Sequence, residues 1–399
     1  MVSVSSAIST IGQHLFRPAK ENVKIQSLEG RVLADAIVTD RDLPPFDRVS
    51  MDGIGIQFNA YQEGWRDFKV EGIQPAGQPR ITLRDNKNCI EVMTGAMLPI
   101  GCDTVIPYEE ISIVNKIARI KNDSVEKGQS IHSRAQDAKR GDVLLAPGTR
   151  VSASEVALIA SVGKSETAVF AFPRTAIVST GDELVDIQER PLPHQIRRSN
   201  SYVLQAALTT MGCHPDLFHL PDSRNAMEKE LVKIFAGHDL IILTGGVSQG
   251  KFDLVPEVLE SLGVTKLFHQ VSQKPGKPFW FGASKKQIVF ALPGNPVSTF
   301  LCFYRYIKPW ILSSMGIDKP FDTAVLAQDF SFKPDLTYFL QVKIAIESGR
   351  LMATPQPGGG SGDFANLKEV DGFLELPAER TEFKAGESFI FIPFRNGSH

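Results

Sequence analysis

The chain has 399 residues, a formal net charge of -2, 42% hydrophobic residues and 22% charged ones. That length suits roughly two to four domains of ~100–200 residues each, and the near-neutral charge excludes the basic excess of a nucleic-acid surface. No apolar run reaches the ~18 residues of a membrane span, Cys89, Cys102, Cys213 and Cys302 form no CxxC pair, and no leader pattern opens the chain, so a cytoplasmic protein with reduced thiols is expected.

In chain order, residues 5–16 read as an amphipathic helix with Ile8, Ile11, Leu15 and Phe16 on one face. A proline-rich loop at 41–51 leads into short apolar alternations broken by glycine and proline up to about residue 137, the texture of a β-rich domain. Ser152 and Glu155 form a capping-box pattern that opens a helix, with Gly163 as its stop. From residue 174 strands at 175–179, 216–220, 240–244, 266–271 and 288–292 alternate with helices at 201–211, 225–235, 254–262 and 297–314. Gly212, Gly237 and Gly263 fall just past three of those helices. The alternation predicts a doubly wound α/β domain. Beyond residue 318, apolar segments at 339–346, 373–376 and 389–392 predict a small β-barrel-like domain. The predicted division is 1–42 with 139–173 as an extended segment, 43–138 as the β-rich domain, 174–317 as the α/β domain and 318–399 as the C-terminal β domain.

The α/β region carries the chemistry. Its 240–244 strand runs into a loop with Gly245, Gly246 and Ser248 and on to Asp253; a second junction holds Pro293, Gly294, Asn295, Pro296 and Ser298. Ligands bind at such carboxyl ends of strands in open α/β sheets, and glycines there admit close backbone approach. Glu183, Asp222 and Asp253 each follow a strand, so all three are expected at one sheet edge, where they could hold Mg²⁺ beside a phosphorylated ligand. Taken singly, Asp222 and Asp253 read equally well as helix N-caps, worth ~1 kcal/mol each; their shared edge favours the ligand reading. Lys274 and Lys277 flank Pro-Gly and suit phosphate as point charges, against the alternative of a solvated turn. Asn295 and Pro296 fit an N-cap followed by a first helical turn. The turns around Asp52 and Thr94 read, on composition alone, as tight turns.

Six segments then stand in order: Pro44-Pro45-Phe46-Asp47 leading to Ser50-Met51-Asp52-Gly53, Met93-Thr94-Gly95-Ala96, Ser179-Thr180-Gly181-Asp182-Glu183-Leu184, Thr244-Gly245-Gly246-Val247-Ser248, Lys274-Pro275-Gly276-Lys277-Pro278, and Leu292-Pro293-Gly294-Asn295-Pro296-Val297-Ser298. In this set the chain resembles the molybdopterin molybdotransferase family (MoeA and the gephyrin E domain) over nearly its whole length. The resemblance implies a homodimer that inserts molybdate into adenylylated molybdopterin with Mg²⁺, releasing AMP. It implies that Glu183, Asp222 and Asp253 line the pterin–AMP and Mg²⁺ site, and that Lys274, Lys277 and Ser298 contact phosphate or molybdate. It further implies that Asp52, Thr94 and Asp137 complete the cleft from the other subunit, and that a molybdopterin adenylyltransferase and recipient molybdoenzymes are partners. The chain departs from the family pattern in the C-terminal region, with Gln341 in place of an arginine and an altered 360–366 segment from which only Ser361 carries over. A paralogue that inserts tungstate, or that binds the cofactor as a carrier or scaffold without turnover, is the rival reading.

Overall fold

The computed structural model describes residues 1–247 and 254–395. The chain forms two compact units: Met1–Asn22 with Gly30–Ala34 and Ala168–His399, and Val23–Glu29 with Asp35–Thr167.

In the first unit the strands Thr175–Thr180, Asp216–Leu220, Leu240–Thr244 and Ile288–Leu292 run parallel. Successive side chains of a strand point to opposite faces, and the sequence fills both. Ile177, Ile242 and Phe290 pack with Leu204 and Leu208 of the helix Asn200–Thr210. Val178, Leu243 and Val289 pack instead with Leu231 of Arg224–Gly237 and Val258 of Val255–Ser261. Burial on both faces is what makes the sheet doubly wound, as the alternating pattern predicts. One edge is antiparallel: Pro278–Ala283 pairs with both Ile288–Leu292 and Thr265–Gln270. The 278–283 strand escapes sequence reading because its Phe-Trp-Phe run is buried throughout and shows no period.

Three boundaries differ from expectation. The first helix is Val4–Gly12 with Val4, Ala7 and Ile11 buried, and Leu15 lies exposed beyond it; glycine at its end disfavours continuation. Gly212 and Gly263 take positive φ past their helices, whereas Gly237 stays within its own. The single helix expected at 297–314 is Pro296–Cys302 and Lys308–Ser314 joined by a π turn, Phe303–Ile307. Pro309 has no N–H for the carbonyl four residues back, which breaks the regular ladder there. That turn carries buried Arg305, whose Nε donates to Glu375 at 2.7 Å.

The C-terminal strands close on themselves. Among the described residues, Thr337–Glu347, Arg350–Pro355, Thr323–Leu326, Ser388–Pro393 and Gly372–Leu376 form a ring, completed where Thr337–Glu347 pairs with Gly372–Leu376. This is the barrel expected beyond residue 318.

The second unit holds a curled sheet of Thr104–Pro107, Gly53–Ile56, Asn88–Val92, Asp67–Gln74, Ile117–Ile120 and Ile111–Val114, in that spatial order. Gly53 is obligatory: a Cβ there would lie 2.0 Å from the Ile106 carbonyl oxygen. The predicted capping box forms, with Ser152 N–H donating to Glu155 at 2.8 Å at the start of Ala153–Ser161.

All four cysteines are buried and unpaired in disulfides. Burial pushes the thiols of Cys89, Cys102 and Cys302 up to about 12. Because the thiolate is the nucleophile, native protein at pH 8 is expected to resist aromatic disulfide reagents, with four thiols reacting only after denaturation. Rapid labelling of the native protein would contradict this burial.

Candidate active site

The carboxyl ends of the parallel strands meet at an open cleft of about 540 Å³. Gly181 follows the Thr175–Thr180 strand at φ +136°, and a Cβ on it would strike the Glu183 carboxylate at 2.5 Å. Gly245, at φ +95°, comes so close to the first loop that a Cβ would sit 2.7 Å from the Thr180 carbonyl oxygen. Glycine at 245 is therefore needed to let the two loops converge, and at 181 it suits the positive φ. Gly246 lines the cleft beside it. Asp182 and Asp222 clasp one another: Asp222 N–H donates to Asp182 Oδ1 at 3.1 Å, and Asp182 N–H to Asp222 Oδ2 at 3.3 Å. The N-cap of the following helix is Ser223. The Asp222 carboxylate is thus not engaged as a helix cap, and it lines the cleft with Glu183. Ser248 and Asp253 lie outside the described residues.

Lys274 and Lys277 are exposed on the cleft rim. What displays them is Gln273, a residue that sequence reading passed over. Its amide is fully buried and donates to the carbonyls of Pro275 and Gly276 at 3.1 and 3.2 Å. The Tyr306 hydroxyl donates to its Oε1, which sets the amide's orientation. Gly276, at φ +88°, leaves room for this clamp, since a Cβ would meet Gln273 Nε2 at 2.7 Å. Gln273 and Lys274 also pair with Thr337 and Tyr338, tying the lysine loop to the barrel.

Pro293, Gly294, Asn295, Ser298 and Ser361 complete the lining, and Pro296 borders an adjoining recess. Asn295 occupies the N-cap position but its side chain makes no cap bond. It donates instead to Ser361 Oγ at 2.9 Å, while the Ser361 carbonyl accepts from Val297 N–H at 3.1 Å. One N–H of the helix's first turn is therefore already used. Gln341 lies outside the cleft lining and accepts from Asn366 at 3.2 Å, and Asp363 accepts from Gly359 N–H at 2.8 Å. The altered segment so forms its own polar network, with Ser361 as its contact to the cleft.

Asp52, Thr94 and Asp137 belong to the second unit. Asp52 accepts from Thr94 Oγ1 at 2.7 Å and Thr94 N–H at 2.6 Å. The hydroxyl first, then the N–H, hold its carboxyl below the usual range. Asp137 accepts from His132 Nε2 at 2.8 Å, and Arg48 donates to Nδ1 at 2.9 Å. Arginine always donates, so Nδ1 is the acceptor and Nε2 carries the proton. Arg48 and His132 have no sequence signal, because their meeting depends on pairing between Arg48–Val49 and Ile131–His132. Thr94→Val is expected to raise the Asp52 pKa, as two stabilising donors become one. Carbon-detected NMR titration of the carboxyl would read it; an unchanged value would mean the hydroxyl is not a partner.

Among the described residues no group of three or more His, Cys, Asp or Glu is placed to enclose a metal. Two carboxylates lining one cleft do suit Mg²⁺, which takes one or two carboxylates plus waters and phosphate oxygens.

Residues 2–163 match the family model described as the MoeA N-terminal region (domain I and II), 176–313 the "Probable molybdopterin binding domain", and 323–394 the MoeA C-terminal region (domain IV). The chain is 42% identical to a molybdopterin molybdenumtransferase of Synechocystis sp. over 98% of its length and 99% of that protein. It is 30% identical to one of Haemophilus influenzae over 99% of each. A solved molybdopterin biosynthesis MoeA protein from Pyrococcus horikoshii superposes with a TM-score of 0.82 at 26% identity, covering 99% of this chain and 100% of that one. No helix among the described residues is long and apolar enough to cross a membrane.

Proposed function

The chain belongs to the MoeA family of molybdopterin molybdenumtransferases, and from that premise we propose that it inserts molybdate into adenylylated molybdopterin and releases AMP. The observation that carries this reading is one cleft lined by two exposed lysines and two exposed carboxylates. Molybdate is a dianion and the pyrophosphate link adds further negative charge, so a site must supply cations as the link breaks. Lys274 and Lys277 lie opposite that charge, and the glycine loops let the backbone come within reach of it. Asp222 and Glu183 would hold Mg²⁺, which when bound neutralises phosphate charge. Ser298 and Ser361 offer hydroxyls along the same wall. Gly245, Gly246, Pro293, Gly294 and Asn295 shape it; Ser248 and Asp253 join them by sequence position.

The same proposal includes a homodimer in which Asp52, Thr94 and Asp137 serve the cleft of a second copy. It also includes a cytoplasmic location, an adenylyltransferase as upstream partner and molybdoenzymes as recipients.

The test is AMP release from adenylylated molybdopterin, under anaerobic conditions with Mg²⁺, with and without molybdate. Release that requires molybdate, with a product that reactivates cofactor-free molybdoenzyme, is the expected result. Binding without release would sink the transferase reading in favour of a carrier, and preference for tungstate in competition would redirect it to that metal.

A further inference from the structure

Lys274 and Lys277 share the cleft rim, but only one of them has its side chain held. Among the described residues the Lys277 ammonium makes no hydrogen bond, ion pair or ring contact. Lys274 Nζ lies over the ring of Phe332, 5.6 Å from its centroid, inside the ~6 Å at which a ring face attracts a cation.

That ring belongs to a fixed wall of the C-terminal domain. Phe332 and Phe330 both stack on Tyr338, with interplanar angles of 10° and 2°. Phe332 N–H donates to the Thr381 carbonyl at 2.9 Å, and Phe330 pairs with Phe383. The ladder step that joins Lys274 to Tyr338 sets the lysine beside this stack. Backbone and side chain of Lys274 are therefore both referred to one element of the barrel.

A ring as the partner has a consequence that a carboxylate would not. A carboxylate would also hold the ammonium, but it would cancel the charge an incoming anion needs. An aromatic face offers only a quadrupole, so it holds the cation and leaves its full charge in place. Among the described residues Lys274 has no ion pair. A lysine on its flexible four-carbon stem otherwise loses rotamer freedom on binding, and ordering it beforehand lowers that cost. We propose that Phe332 is the positioning residue for Lys274, keeping its ammonium on the cleft rim and available to the anionic part of the substrate. The inference rests on the transferase reading for what the lysine meets; the contact itself belongs to the free protein.

Two measurements test it. Reductive methylation with ¹³C-formaldehyde keeps the lysine charge, and the Lys274 methyl signal is assigned by its loss in Lys274→Arg. It is expected upfield of other exposed lysines, shielded by the ring, and Phe332→Leu should return it to their position. Calorimetric titration with inorganic pyrophosphate in Mg²⁺ gives the second readout. Phe332→Leu should bind roughly two- to fivefold more weakly, the loss expected for an exposed cation–π contact, and Phe332→Tyr, which keeps the ring, should bind as wild type. In a Lys274→Met background, Phe332→Leu should change nothing further. A purely structural Phe332 would lower the thermal midpoint without these effects. Phe332→Leu with wild-type affinity, or with the same loss when Lys274 is absent, overturns the proposal, as does an unshifted Lys274 signal. A shifted signal with Lys274-dependent binding, in a chain that never releases AMP, sinks the transferase reading and leaves Phe332 as the residue that positions the lysine.

Discussion

Asp222→Asn is expected to lower molybdate-dependent AMP release by roughly 10²–10³-fold, the range seen when one fixed electrostatic contact to a transition state is lost, while thermal unfolding stays where it is. The substitution keeps the side chain's shape and one oxygen, so the bond from Asp182 N–H can persist, and the Asp222 N–H that donates to Asp182 is untouched. The position is exposed, which limits any cost to the fold. Only the charge disappears. If that charge helps hold Mg²⁺, raising the Mg²⁺ concentration should restore part of the rate. A variant with wild-type turnover at every Mg²⁺ concentration would remove Asp222 from the site, and a variant that unfolds would show the clasp to be structural.

Much of this site was legible in the sequence because its parts announce themselves locally. A run such as Leu240–Thr244 followed by two glycines can hardly be other than a buried strand opening into a loop, and the cleft is where such loops meet. Gly53 and Gly245 belong to ordered motifs, and each proves to occupy a spot that a Cβ could not share with the neighbouring backbone. What stayed hidden depends on partners distant in the chain. Gln273 resembles any polar residue beside a turn until Tyr306, thirty-three positions later, is seen to donate to it. The same holds for Arg48 and His132, brought together by strand pairing. Asn295 shows the converse: its local signal is that of a helix cap, and Ser361, far along the chain, takes its amide instead. The 278–283 strand was missed for a third reason: its apolar run is short, Phe279 to Phe281 between Pro278 and Gly282, and burial leaves no alternation to extend it.

Gln273→Leu should then have the largest combined effect on stability and catalysis. Leucine fills much of the same space but makes no hydrogen bonds, so it strands the carbonyls of Pro275 and Gly276 and the hydroxyl of Tyr306 in a buried setting. At ~1–3 kcal/mol for each group left unpaired, the destabilisation should be about 3 kcal/mol or more. The catalytic consequence follows from position. Lys274 and Lys277 bracket the two carbonyls that the amide holds, so losing the clamp lets both cations drift from the cleft. Misplaced charges weaken binding of the anionic substrate and its transition state alike, and KM should rise at least tenfold with a further fall in kcat. Tyr306→Phe gives the graded control: it removes one donor, leaves both carbonyls paired, and should cost about 1 kcal/mol with little change in KM. A Gln273→Leu protein that unfolds more easily yet keeps its KM would confine the amide to a structural part. A rise in KM at a temperature where the variant is fully folded would make Gln273 a positioning residue for the lysine loop.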